Sequence, residues 1–238
     1  MEERLQKFMS RAGFCSRRKA EVLIREKKVK VNGTIAQIGE KINPNTDQVE
    51  CEGKQLTIKD ELIYIALNKP KGYTSTKADP HAQKTVYELL PEDIRSRVHS
   101  IGRLDKDTEG LLLFTNDGNL TEKITHPRYN HEKEYEVIIA GNPSKKELHL
   151  LEAGVDIGDK ITAPAKVVAV HTQSEKTKVN LVIHEGAKRQ IRRMFKGIRY
   201  PVLELKRVRI GKLKLKGIPL GKWKNISKKL ILDSLQSS

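Results

Sequence analysis

Between Gly102 and Gly110 the chain sets three carboxylates at alternate positions, Asp105, Asp107 and Glu109. Leu111-Leu112-Leu113-Phe114 follows at once, and Asn116-Asp117-Gly118 comes next. Four consecutive apolar residues closed by turn-forming ones read as a strand buried on both faces. The chain therefore has to build a sheet with an interior strand and bring an acidic loop to its entrance. The order Asp-x-Asp-x-Glu-Gly also opens a calcium loop. Here, however, positions seven to ten of such a loop are Leu111 to Phe114, and the twelfth is Asn116 rather than a bidentate Glu. A nuclease holding metal on the same three carboxylates is disfavoured by the same apolar residues. A solvated acidic loop and a carboxylate kept ionised by a nearby cation, with Arg103 two residues away, stay open.

Local periodicity outlines the rest. Leu5, Phe8, Met9 and Ala12 fall at helical spacing before Gly13, and Ser16 is placed to cap a second helix with Ala20, Leu23 and Ile24 inside. Val29 and Val31 lead into Asn32-Gly33, a hairpin signal, and Glu52-Gly53-Lys54 is a second turn. This small module carries Arg11, Arg17, Arg18 and Lys19 on its exposed side, which makes them candidate RNA contacts. A polar stretch at 58–61 sets the expected division into domains 1–60 and 61–238. Beyond it, strands are expected at Ile63–Leu67, Tyr135–Ile139, Ala165–Val170 and Val179–Ile183, with short helices at Thr85–Leu90 and Pro143–Leu151. Lys212-Leu213-Lys214-Leu215-Lys216 should be a strand with one basic face.

The formal net charge is +16, and it is unevenly placed. Residues 186–238 hold 16 of the 46 Lys and Arg but only two of the 30 Asp and Glu. Such a field attracts a polyanion. Within it, Arg189, Arg192, Arg193 and Lys196 would form one stripe of a helix, with Ile191, Met194 and Phe195 toward the core. Cys15 and Cys51 fit no metal or redox spacing, and the seven histidines show no ligand pattern. No apolar run is long enough to span a bilayer and the N-terminus carries no apolar signal segment. A cytoplasmic protein is expected.

Gly102-Arg103-Leu104-Asp105-x-Asp107-Thr108-x-Gly110-Leu111-Leu112-Leu113-x-Thr115-Asn116-Asp117-Gly118 closely resembles the signature of the RsuA-type ribosomal RNA pseudouridine synthase family. Leu67-Asn68-Lys69-Pro70-x-Gly72, Lys133-x-Tyr135 and Arg189-Gln190-Ile191-Arg192-Arg193-Met194-Phe195 resemble it too, in the same order. The N-terminal module is similar to the S4-like RNA-binding domain that precedes such catalytic domains. The resemblance implies an α+β chain: a helix pair and hairpin, then a catalytic domain with a mainly antiparallel mixed sheet flanked by helices. It implies Asp105 as catalytic aspartate, Tyr135 as the tyrosine that stacks on the target base and Arg192 as the cation paired with Asp105. Arg103 would hold the flipped-out nucleotide, Ile191 and Leu203 would make apolar contacts to the base, and Arg189 and Arg193 would bind the RNA. One departure is Ala187-Lys188, where the family has its cation one position earlier.

The implied reaction breaks the N1–C1′ bond of uridine, turns the uracil and joins C5 to C1′. It changes no oxidation state, so neither cofactor nor metal is expected. A carboxylate can serve by attack at C1′, by attack on the ring or by removing a sugar proton to leave a glycal; all three stay open. The target base must leave its stack first. The expected partner is ribosomal RNA or a precursor subunit, with the large subunit favoured, and the expected state is a monomer. A non-catalytic ribosome-assembly factor on the same scaffold is the alternative.

Overall fold

A computed structural model describes residues 2–58, 61–77 and 83–236. Its contacts separate two units, residues 1–62 with 92–98 and residues 63–91 with 99–238. The boundary expected at residue 60 lies outside the described residues.

In the first unit, helix Leu5–Arg11 packs on helix Arg17–Arg25, whose N-cap Ser16 accepts the Lys19 amide at 3.2 Å. Leu5, Phe8, Met9, Ala20, Leu23 and Ile24 bury against Val29, Val31, Val49 and Cys51. Those last four lie on an antiparallel sheet ordered Thr34–Ile35, Val29–Val31, Val49–Cys51, Lys54–Leu56. Both hairpins turn through left-handed pairs, Asn32 (φ 50°) with Gly33 (φ 81°) and Glu52 (φ 51°) with Gly53 (φ 76°). Turns of that kind match the twist of the strands they join. Cys15 and Cys51 are unpaired.

The second unit is built on a sheet that has nine strands among the described residues. Its path runs Lys166–Gln173, Lys176–Ile183, Lys133–Ala140, Val202–Ile210, Glu109–Thr115, Tyr64–Lys69, Trp223–Asn225. Leu213–Lys214 and His99–Ile101 branch off it. All pairings are antiparallel except that of Glu109–Thr115 with Val202–Ile210, so the sheet is mixed and mainly antiparallel, as expected. Leu111 to Phe114 are buried on both faces. Leu111 and Leu113 join Leu120, Ile124, Ile231 and Leu235 of helices Gly118–Thr125 and Lys228–Leu235. On the other face Phe114 meets Tyr87 edge-on, ring centroids 5.4 Å apart.

Several elements depart from the sequence expectations. Val202–Ile210, a central strand, was not foreseen, because its four charged residues mask the pattern. Asn116-Asp117-Gly118 does more than turn the chain: Asp117 accepts the Asn119 and Leu120 amides, both at 3.1 Å, and starts a helix. The Thr85–Leu90 helix is a four-residue 3₁₀ turn, Val86–Leu89, capped reciprocally by Thr85 and Glu88. The expected Lys212–Lys216 strand shortens to Leu213–Lys214. Among the described residues no helix is long and apolar enough to cross a membrane.

Candidate active site

Asp105 sits in a tight turn just before the interior strand. Its carbonyl accepts the Thr108 amide at 3.0 Å. The same turn is held by Lys69, which has no exposed surface. The Lys69 ammonium donates to the carbonyls of Thr108 (2.7 Å), Asp105 (3.0 Å), Pro70 (3.1 Å) and Lys106 (3.3 Å). Burial pushes Lys69 down to about 8, against the pull of Asp105, Asp107 and Glu109. Ser75 fastens the other side, donating to the Leu104 carbonyl at 2.8 Å and accepting the Leu104 amide at 3.1 Å. The Asp105 carboxylate is therefore carried on a backbone fixed from two directions, and it stays half-exposed.

It opens into a cavity of about 670 Å³, within the size range of ligand sites. Tyr135, Ile191, Leu205 and Arg189 line that cavity with Asp105 and Arg103. Tyr135 is 8% exposed and lies opposite Leu181 on one neighbouring strand and Arg207 on the other. Ala187 and Lys188 also face the cavity. They belong to a loop pinned by buried Gln190, which bonds the Glu185 carboxylate (2.7 Å) and the Ala187 amide (2.9 Å).

The basic helix differs from the expected stripe. Arg189 adopts a left-handed conformation (φ 51°, ψ 33°) and stands outside helix Gln190–Gly197; its guanidinium is 3.6 Å from the Asp107 carboxylate. Arg192 forms no ion pair with Asp105. It donates instead to the carbonyls of Asp107 (2.9 Å) and Val202 (3.1 Å). Burial and Arg189 lower its pKa, while Asp107 and Asp105 raise it, so Arg192 feels Asp105 without touching it. Arg193 points to Asp159 and the Ile157 carbonyl and does not line the cavity. Leu203 lies at a β-bulge, between Val202 opposite Ile139 and Glu204 opposite Ile138, and is 44% exposed. The bulge turns Leu203 away, and Leu205 supplies the apolar wall.

Three residues were given no role by the sequence reading. Lys69 and Gly110 stood only as letters of the family motifs. Arg207 is 4% exposed, bonds the Leu111 carbonyl at 2.8 Å and keeps one terminal nitrogen without a partner. Gly110, at φ 108°, abuts Arg207 so closely that a Cβ would lie 2.2 Å from its carbonyl oxygen. Among the described residues no three His, Cys, Asp or Glu side chains converge as a metal site requires.

On the first unit Arg17, Arg18 and Lys19 are exposed at the start of their helix, whereas Arg11 is bound to Glu3 at 2.6 Å.

The family model described as RNA pseudouridylate synthase matches residues 63–196, and the S4 domain model matches residues 3–47. The chain belongs to the RNA pseudouridylate synthase family. A ribosomal large subunit pseudouridine synthase B of Bacillus subtilis is 42% identical over 222 residues, covering 92% of this chain and 90% of that one. An RNA pseudouridine synthase of Aquifex aeolicus is 41% identical over 229 residues, covering 95% and 91%. A crystal structure of a pseudouridylate synthase superposes with a TM-score of 0.69 at 31% identity, over 98% of this chain and 99% of that one. In this synthase the Asp105 turn, Tyr135 and the Arg189–Ile191 segment meet around one cavity, although they are separated by up to 86 residues in sequence.

Proposed function

We propose that the protein isomerises one uridine of large-subunit ribosomal RNA to pseudouridine, with residues 1–60 as its S4-like RNA-binding domain and 61–238 as its catalytic domain. The carrying observation is the cavity in which a half-exposed carboxylate on a locked turn faces a buried tyrosine. Asp105 acts on the flipped nucleotide, Tyr135 stacks on the uracil, and Ile191 with Leu205 closes the apolar side. Arg103 and Arg189, exposed at the cavity, take the backbone phosphates. Unstacking the base costs a few kcal/mol, and stacking on Tyr135 recovers about 1–3 kcal/mol.

Arg192 acts here as a cation that braces the Asp105 loop through the Asp107 carbonyl. Arg193 braces the loop at Asp159, and Leu203 has no part at the base. The substrate reading favours the large subunit because relatives covering about nine-tenths of the chain carry that name. The protein acts as a cytoplasmic monomer, which size-exclusion chromatography with light scattering tests directly.

The activity test is incubation with unmodified large-subunit ribosomal RNA, followed by carbodiimide modification and primer extension. One new pseudouridine stop is expected. Asp105→Asn should abolish that stop while RNA affinity stays within a few fold. A large loss of binding would make Asp105 structural, and no stop with the native protein on folded RNA would leave the assembly-factor alternative standing.

A further inference from the structure

Strand residues alternate between the faces of a sheet. Tyr135 and Leu205 face the candidate active site, so Glu134, Glu136 and Lys206 face the reverse side. There, a second cavity of about 470 Å³ lies over the same strands. Asn68, Asn180, Val208 and Arg209 contribute to its sides, and the loop carrying Lys214, Leu215, Lys216 and Ile218 forms its far wall. Leu215 and Ile218 belong at the same time to the core beneath helices Gly118–Thr125 and Lys228–Leu235, which fixes that wall. A β-bulge opposite Glu134 and Tyr135 leaves Val208 without a partner on that strand, and both Val208 and Arg209 reach the cavity. Bulges re-aim side chains in this way.

The charges here are sorted. Glu134 is taken by Arg209 at 2.7 Å and by Asn180 at 3.1 Å, and Glu136 by Lys178 at 3.1 Å. Lys206, Lys214 and Lys216 form no ion pair among the described residues, although Glu134, already held by Arg209 and Asn180, feels the charge of Lys214. The cavity thus has cations free of ion pairs on its wall and engaged carboxylates on its floor. Asn68, 5% exposed, adds an amide that donates to the Ile218 carbonyl at 2.8 Å while its own oxygen is unpartnered.

We propose that this reverse-face cavity binds a single-stranded ribonucleotide segment of the RNA substrate away from the modified uridine. Lys206, Lys214 and Lys216 hold its phosphates, and the unpartnered amide oxygen of Asn68 receives an amino-bearing base. The cations of residues 186–238 then serve two RNA contacts on opposite faces, one at Lys188–Arg192 and one at Lys206–Lys216. The RNA must pass around the sheet edge to reach both. The inference rests on the substrate being RNA but not on which uridine is modified.

Fluorescein-labelled hexaadenylate is a suitable probe, because it lacks uridine and reads binding independently of turnover. Lys214→Glu with Lys216→Glu, both exposed positions, should weaken its binding to the full-length protein at least tenfold at 0.1 M salt. The slope of log affinity against log salt should become shallower by about 1.4, which is two phosphate contacts on a single strand. Lys145→Glu with Lys146→Glu alters the net charge equally at a distant helix and should change affinity less than threefold. An azidoadenosine version of the probe should crosslink within residues 203–218. Equal losses from the two pairs, an unchanged salt slope, or crosslinks confined to the candidate active site would each overturn the proposal. So would binding of hexaglutamate in preference to hexaadenylate.

Discussion

At the scale of single residues, the site is organised by a lysine rather than by the aspartate it serves. Four backbone carbonyls around Asp105 converge on one ammonium, and without it all four would lose that donor, although those of Asp105 and Lys106 keep the Thr108 and Gly72 amides. Lys69→Met should lower stability by about 3 kcal/mol at pH 7, the cost of unmaking a buried charge network. The pH dependence has a definite sign. The folded pKa of Lys69 is about 8, below its ordinary 10.5, so between those values the unfolded chain binds the extra proton. The burial cost is therefore present in full below pH 8 and is relieved as pH rises toward 10.5. Urea midpoints should show the deficit of Lys69→Met widening from pH 7 to pH 9.5; a deficit that narrows would contradict this account. Asp105 itself was legible as a carboxylate beside a buried strand. Lys69 was not, because a lysine at the end of a strand, next to proline, gives no local sign that it is wholly buried.

At the scale of elements, two helices show how local signals and interactions part company. Helix Arg17–Arg25 begins where Ser16 said it should, yet it places Arg17, Arg18 and Lys19 in its first turn. Cations there oppose the helix dipole. Their presence fits a demand from outside the fold, the phosphates of an RNA. Arg17→Glu with Arg18→Glu should raise stability by about 0.5 kcal/mol per site and weaken RNA binding by tenfold or more in filter binding, with the saturated rate unchanged. A variant that binds RNA as well as the parent would remove this helix from the interface. Helix Gln190–Gly197 was expected from the same sort of pattern, and its apolar residues do pack inward. Its basic stripe failed because Arg189 leaves the helix, Arg192 bonds to carbonyls and Arg193 turns to Asp159. Periodicity fixes the direction in which a side chain leaves a helix but not what a long, flexible arginine meets.

For the whole molecule, charge decides association. RNA affinity should fall steeply with salt, with a log–log slope of magnitude about 4 or more if at least five or six phosphates are neutralised, counting about 0.7–0.9 per contact. Titrations from 0.05 to 0.3 M salt test this, and a flat profile would mean that the basic surfaces are not used.

The sequence by itself determined the helix pair and hairpin of the N-terminal module, the interior strand at Leu111–Phe114, the Ser16 helix cap and the polyanion-seeking tail. Each of these is written within a few neighbouring residues, where periodicity, turn chemistry and composition operate. The family signature added the α+β architecture and which carboxylate to watch. Tertiary structure alone decided that Val202–Ile210 is central, that Gly110 must lack a side chain because the Arg207 backbone crosses it, and that Lys69 locks the Asp105 turn. It also decided that Leu205, not Leu203, faces the cavity. These depend on contacts between residues 36 to 97 positions apart, formed by backbone groups and by a bulge in register, and backbone pairing carries no signature in the side chains it joins. Asp105 is readable in the chain, but the geometry that holds it exists only after the sheet has closed around it.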